Sequence, residues 1–216
     1  MAIKTITTFR DQLRGGGARP NLFEVNLGNF GGAGGLNADW DNNAQRDFQF
    51  LCKATSMPTQ TIGTVEIPFR GRILKVAGDR TFEPWSVTVI NDGSFSVRKA
   101  FEAWTEKINN ISTGVGEVDP NNYMGNGTIK QLSRSATGGD INDVSNAQRV
   151  LHTYQVEEIW PSEIGSIDLS YESSDAIEEF TVTFQIQYFR SIATPAQQEQ
   201  ENIGANDLAG TTANIS

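Results

Sequence analysis

The sequence predicts a mainly β protein: an antiparallel β-sandwich or barrel of seven to nine strands with one packed α-helix at about 92–110. Three observations lead there. Stretches of alternating apolar and polar residues recur down the chain, cut by turns rich in Gly, Asn and Pro, as half-buried strands require. Only 91–110, NDGSFSVRKAFEAWTEKINN, sustains an apolar stripe at helical spacing. At 216 residues the chain is long enough for one core, and its lone Cys52 excludes an internal disulfide, so packing must hold the fold.

In chain order, Ile6, Phe9 and Leu13 are spaced for a helix over 3–14, too short to stand alone in water. RGGGARP at 14–20 breaks it. Phe23, Val25 and Leu27 alternate as a first strand, the Gly- and Asn-rich 28–47 reads as a loop insertion, and FQFLCKAT reads as the second strand. Val65, Ile67 and Phe69 then alternate with Thr64, Glu66 and Pro68. Gly71–Arg72 makes a turn, Ile73–Ala77 the return limb, and Ala77-Gly78-Asp79 a further turn. Pro68 and Pro84 belong at strand ends or edges, because they donate no ladder bond. Trp85, Val87 and Val89 alternate with Ser86, Thr88 and Ile90.

Asp92 or Ser94 caps the helix, whose packing face is Val97, Phe101, Trp104 and Ile108. Beyond a weak strand near 128–132, VLHTYQVEEIW and IGSIDLSYE read as strands separated by Pro161. The cleanest alternation is 178–189. Phe180, Val182, Phe184, Ile186 and Tyr188 face one way; Glu179, Thr181, Thr183, Gln185 and Gln187 face the other. The whole, 1–216, reads as a single domain with an N-terminal arm (1–20), the 28–47 insertion, a long loop region (112–149) and a polar C-terminal tail (191–216).

A formal charge of -9 argues against a nucleic-acid binder, which needs a basic footprint, but suits a surface that nucleic acid slides past. A single His152 and a single Cys52 leave no ligand set for zinc. His152 reads as a packed or half-exposed histidine and Cys52 as a buried small hydrophobe. GNFGGAGGLN lacks G-x-G-x-x-G, and no Gly-Lys pair completes a phosphate loop. DWDNN opens like a calcium loop, yet Ala44 replaces the turn glycine and Phe50 the closing glutamate. Glu157 and Glu158 are neighbours, so on a strand they face opposite sides and cannot pair. The expectation is no catalytic site, no metal and no cofactor. The N-terminus has no apolar core of a secretory signal, and no run of about 18 apolar residues predicts membrane insertion.

One local feature runs against the acidic average. Between Arg70 and Arg80 lie Arg70, Arg72, Lys75 and Arg80, four of the chain's 17 basic residues, against one acid, Asp79. An isolated two-stranded ribbon is marginally stable in water, so this hairpin calls for a partner.

ARPNLFEV, FLCKATSMP, IPFRGRILKVAGDRTFEPWSVTVIND followed by AFEAW, and EEIWPSEIGSIDLSYESSDAIEEFTVTFQIQYF together resemble the tail tube proteins of T-even contractile-tailed bacteriophages. The likeness covers most of 18–110 and 150–190 in order; 28–47, 112–149 and the segment after 190 depart from it. It implies the phage tail-tube fold, shared with inner tubes of type VI secretion systems. It implies a virion protein, assembled in the host bacterial cytoplasm, whose hexameric rings stack into a tube. A sheath surrounds such a tube, tape-measure protein and DNA occupy its bore, and baseplate hub and tail terminator proteins close its ends.

On that resemblance the intersubunit hairpin comprises Val65, Ile67, Phe69, Arg70, Arg72, Ile73, Lys75, Val76 and Arg80. Glu179, Thr181, Thr183, Gln185 and Gln187 are candidates for the lumen. The alternatives are a baseplate-proximal tube initiator, the tube of another contractile injection device, or, in a different class, a carbohydrate-binding sandwich with Trp40 as its exposed aromatic.

Overall fold

The computed structural model describes residues 5–7, 9, 17–28, 40, 42–132, 150–172 and 174–192. The first strand is β1 (Phe23–Gly28), followed by helix α1 (Asn42–Leu51) and β2 (Cys52–Thr55). A hairpin of β3 (Gln60–Phe69) and β4 (Arg72–Phe82) precedes β5 (Trp85–Ile90) and helix α2 (Ser96–Ile108). The chain finishes with β6 (Gly125–Leu132), β7 (Val150–Ile164), β8 (Glu179–Gln185) and β9 (Tyr188–Ile192). The large sheet runs β1-β6-β7-β8-β5-β2, with β9 also on β7, and β3-β4 is a separate two-stranded sheet. The mainly β, antiparallel class expected from the alternations is the one found.

The described residues fall into two compact units: those within 1–24, 129–154 and 191–192 in one, those within 25–128 and 155–190 in the other. In the smaller, Lys130 Nζ donates to Glu24 Oε1 at 2.8 Å, Gln131 Nε2 to the carbonyl oxygens of Arg19 and Leu22, and His152 Nε2 lies 2.9 Å from Ser191 Oγ.

The larger unit holds an aromatic core. On β5 and β8 every second residue is buried (Trp85, Val87, Val89; Phe180, Val182, Phe184), so one sheet face is apolar and α2 covers it with Val97, Ala100, Phe101 and Trp104. Phe101 meets Phe184 at 5.8 Å and Phe180 at 6.5 Å between ring centroids, both edge-on, the geometry aromatic quadrupoles favour. Ile108, the fourth residue of the expected packing stripe, is half-buried.

Asp92 holds the entry to α2 although Phe95, at φ 57°, is the cap residue. Its carboxylate accepts from Ser94 Oγ and, at 3.0 Å, from the Ser96 N–H. The Ser94 hydroxyl first, then the amides of Ser96 and Ser94, hold the Asp92 carboxyl below its ordinary 3.8. That stabilisation is present above the ordinary value and is lost as pH falls through the lowered one. Asp92→Ala should cost about 1 kcal/mol at neutral pH, as the loss of a side-chain acceptor at a helix entry does, and the cost should shrink as pH falls below 3.8, readable in urea melts across that range.

Several elements differ from the sequence reading. FQFLCKAT is not one strand: its first half ends α1, and the helix reaches back to Asn42 inside the stretch read as loop. The Phe48/Phe50 alternation suggested a strand, but Trp40, Ala44 and Phe48 recur every four residues. Burying them against Phe101 and Trp104 outweighs the local β pattern, and Phe50 is left exposed. Trp40, 6% exposed, is therefore core, which removes the aromatic on which the carbohydrate-binding reading relied.

Ala77-Gly78-Asp79 is not a turn; β4 runs through it, with a register irregularity opposite Gly63. Strand β7 passes straight through Pro161, a register shift between Pro161 and Glu163 absorbing the missing donor. IGSIDLSYE is not a strand, because β8 already has β7 and β5 on its two sides and offers no free edge. The long alternation at 178–189 breaks at Ile186–Gln187, so Tyr188 opens β9 and is exposed. The helix expected over 3–14 lies mostly outside the described residues; Ile6 and Phe9 within it are exposed. The C-terminal tail beyond 192 and the segment 133–149 also lie outside them.

Candidate assembly interface

The β3–β4 hairpin is built at its turn. Arg70 (φ 44°) and Gly71 (φ 79°) both take left-handed backbone, as a two-residue type I′ connection demands, and its twist matches that of the flanking strands. Phe69 therefore pairs with Arg72, Ile67 with Leu74 and Val65 with Val76. Lower down, Gly63 and Gly78 face each other across the register irregularity; a Cβ on Gly78 would lie 3.2 Å from the Gly63 carbonyl oxygen. The base is tied to the sheet: Glu83 N–H donates to the Thr59 carbonyl at 3.1 Å, and Trp85 Nε1 to Thr55 Oγ1 at 2.8 Å and the Ser56 carbonyl at 3.1 Å.

Paired residues share a face, so the hairpin has two unlike sides. One carries Val65, Ile67, Phe69, Leu74 and Val76 with Arg72; the other carries Thr64, Glu66, Pro68, Ile73, Lys75 and Ala77. All of β3 and nearly all of β4 is exposed; Phe69 is 64% exposed and Leu74 59%. Of the hairpin residues named from sequence, Val65, Ile67, Phe69, Arg72 and Val76 thus sit together, Ile73 and Lys75 lie on the reverse side, Arg70 is in the turn, and Arg80 pairs with Ile62 below. Leu74 was missed. The rule that odd positions of β3 share a face with even positions of β4 would have found it.

The cations are not equivalent. Lys75 faces Glu66 at 3.5 Å on the same hairpin, and Arg70 lies over the Phe69 ring at 5.3 Å. Among the described residues Arg70, Arg72 and Arg80 have no carboxylate at ion-pair distance.

The polar strand forms the second part of the site. Thr181 pairs with Thr88 and Thr183 with Ser86, their hydroxyls 3.4 Å apart in each pair, while Glu179 pairs with Lys53 beside them. Gln185 Nε2 reaches Ser162 Oγ at 3.4 Å, and Ser162 Oγ donates to the Thr183 carbonyl. The result is a wettable band of small hydroxyls across two strands, to which sequence reasoning assigned only the β8 half. Gln187 lies off the band, at the bend after β8.

Among the described residues no three of His, Cys, Asp and Glu are grouped to hold a metal, and no helix is long and apolar enough to cross a membrane. Burial pushes the Cys52 thiol up to about 12, so it stays protonated. Alkylation of the native chain at pH 8 should be very slow and should become fast in denaturant, which a mass-spectrometric time course reads directly. The buried Glu157 carboxylate is bound by Arg190 Nη2 at 2.6 Å, a bond that holds the guanidinium charge and raises the pKa of Arg190. Its neighbour Glu158, at φ 54°, is exposed.

The chain is 30% identical over 176 residues to tail tube protein gp19 of Enterobacteria phage T4, covering 80% of this chain and 90% of that one. It is 27% identical to the tail tube protein of Serratia phage KSP90, covering 68% and 76%. In fold it is similar to a chain of the sheath-tube complex of an extracellular contractile injection system in its extended state, at a TM-score of 0.51 and 13% identity, over 89% of this chain and all of that one. The family model for phage tail tube proteins matches residues 18–191, and the chain belongs to that family.

Proposed function

We propose that this chain is the subunit of a stacked tube: copies join into hexameric rings, rings stack through the β3–β4 hairpin, and the tube lies inside a contractile sheath. The observation that carries this reading is the hairpin itself, a long ribbon with five apolar side chains on one face and no cover. Monomeric proteins seldom present so continuous an apolar face; it marks a surface awaiting a partner. Burying the exposed remainder of each side chain is worth about 1 kcal/mol, so the ribbon supplies several kcal/mol before the costs of association. Exposed ion pairs add about 0–1 kcal/mol each, so the basic residues set register more than strength.

In this reading the Thr/Ser/Gln band faces the bore, where uncharged hydroxyls and a net negative subunit give phosphates nothing to adsorb to, and tape-measure protein and DNA pass without being bound. The whole chain, arm and tail included, works as one tail-tube subunit in the virion. Its role is structural, as in its family, and not enzymatic. Likeness to chains from a sheath-tube complex and from a tube-terminating cap supports the same setting, with sheath outside and terminators at the ends. Negative-stain microscopy of purified protein tests the reading. Rings or tubes with a stain-filled centre are expected; strictly monomeric particles at every concentration and ionic strength would end it.

A further inference from the structure

The hairpin face needs a receiving surface, and the register of the sheet indicates where that surface lies. Strand β5 begins at the hairpin base, with Trp85 beside Phe184, and ends with Ile90 beside Glu179. The connection from β7 to β8 leaves the sheet at that far end, where the Gly165 N–H donates to the Thr181 carbonyl at 2.7 Å. Hairpin and connection therefore occupy opposite ends of the β5–β8 pair, about 20 Å apart at strand rise.

The connection carries an open cleft of about 330 Å³ lined by Ile167, Asp168, Leu169, Ile177 and Glu178, among others. Leu169 is 80% exposed and Ile177 71%, so its apolar residues are as uncovered as those of the hairpin. Both ends of the connection are anchored. Arg98 Nη1 donates to the Gly165 carbonyl at 3.1 Å, and Asn91 donates from its backbone to the Glu178 carbonyl at 2.8 Å and from Nδ2 to Glu178 Oε2 at 2.9 Å.

We infer that this cleft receives the hairpin of a second copy of the chain. The two surfaces are complementary in both respects that matter. Apolar meets apolar, and Arg70 and Arg72 at the hairpin tip meet Asp168, Glu172 and Asp175; among the described residues neither these arginines nor these acids have a partner of opposite charge at ion-pair distance. A contact between unlike ends of the same subunit is heterologous and propagates instead of closing into a dimer, which a tube requires. The inference rests on the tube reading and adds its receiving surface.

Disulfide trapping decides it. In full-length protein carrying Cys52→Ser, Phe69→Cys together with Leu169→Cys should give a reducible ladder of covalent oligomers on oxidation, and neither new cysteine alone should. As a second arm, Asp168→Lys with Asp175→Lys should raise severalfold the concentration at which tubes appear, and adding Arg70→Glu with Arg72→Glu should bring it back down. Wild-type tubes without a ladder from the paired cysteines overturn the inference, as does a ladder from Phe69→Cys alone, or loop reversal without effect. A wild-type chain that never assembles overturns the tube reading instead.

Discussion

A chain carrying Ile67→Asp and Leu74→Asp will remain monomeric at concentrations where the wild type forms tubes. These two residues pair directly at the centre of the hairpin's apolar face, 46% and 59% exposed in the isolated subunit. Because they touch solvent already, replacing them should change the stability of the subunit by only about 0.5 kcal/mol each. In the assembled state each aspartate would be buried without a partner, which costs several kcal/mol. Even about 3 kcal/mol lost per contact weakens association roughly a hundredfold. Sedimentation velocity alongside a urea melt separates the two effects. Tubes at the usual concentration would show that the ribbon does not hold the assembly together, and a collapsed melt would show that it belongs to the subunit core.

Trp85→Ala should do the opposite, removing about 3–5 kcal/mol from the subunit itself. The indole is 1% exposed, stacks on Phe184 at 5.4 Å, and spends its N–H on Thr55 and Ser56 where the chain leaves β2 for the hairpin. Domains of this kind hold about 5–15 kcal/mol in total, so the loss takes much of it. Trp85→Phe keeps a ring in the core and gives up only the donor. It should cost about 1–2 kcal/mol and speed amide exchange at Glu83, whose N–H donates to the Thr59 carbonyl just above the clamp. An unshifted urea midpoint for Trp85→Ala would place the centre of the core elsewhere.

Most of the strands could be read from the alternation, because half-buried strands leave a period-2 trace wherever one face is apolar. The β5 and β8 faces and the two limbs of the hairpin follow from that, and the α2 stripe of Val97, Phe101 and Trp104 from the helical period. What escaped was decided by tertiary packing. Helix α1 forms because Trp40, Ala44 and Phe48 find Phe101 and Trp104, residues more than fifty positions downstream. The stretch after Gly165 looks like a strand and is not one, because β8 is flanked on both sides and leaves it no partner. The turn lies one residue before Gly71–Arg72, because Arg70, not a glycine, takes the first left-handed position, and nothing in the sequence marks it for that. The hydroxyl band was half visible, its Ser86 and Thr88 rungs becoming part of it only through the β5–β8 register.

A two-stranded ribbon has no interior strand, so β3 and β4 each offer a bare backbone edge to any extended chain that drifts past. Newly made copies crowded in a cell would be expected to clump by indiscriminate edge pairing. The sequence guards against this: Pro68 removes a donor from one edge, and charges at Glu66, Lys75 and Arg80 discourage a stranger from lying alongside. The same residues that make the ribbon soluble on its own thus reserve its stickiness for a fitting surface.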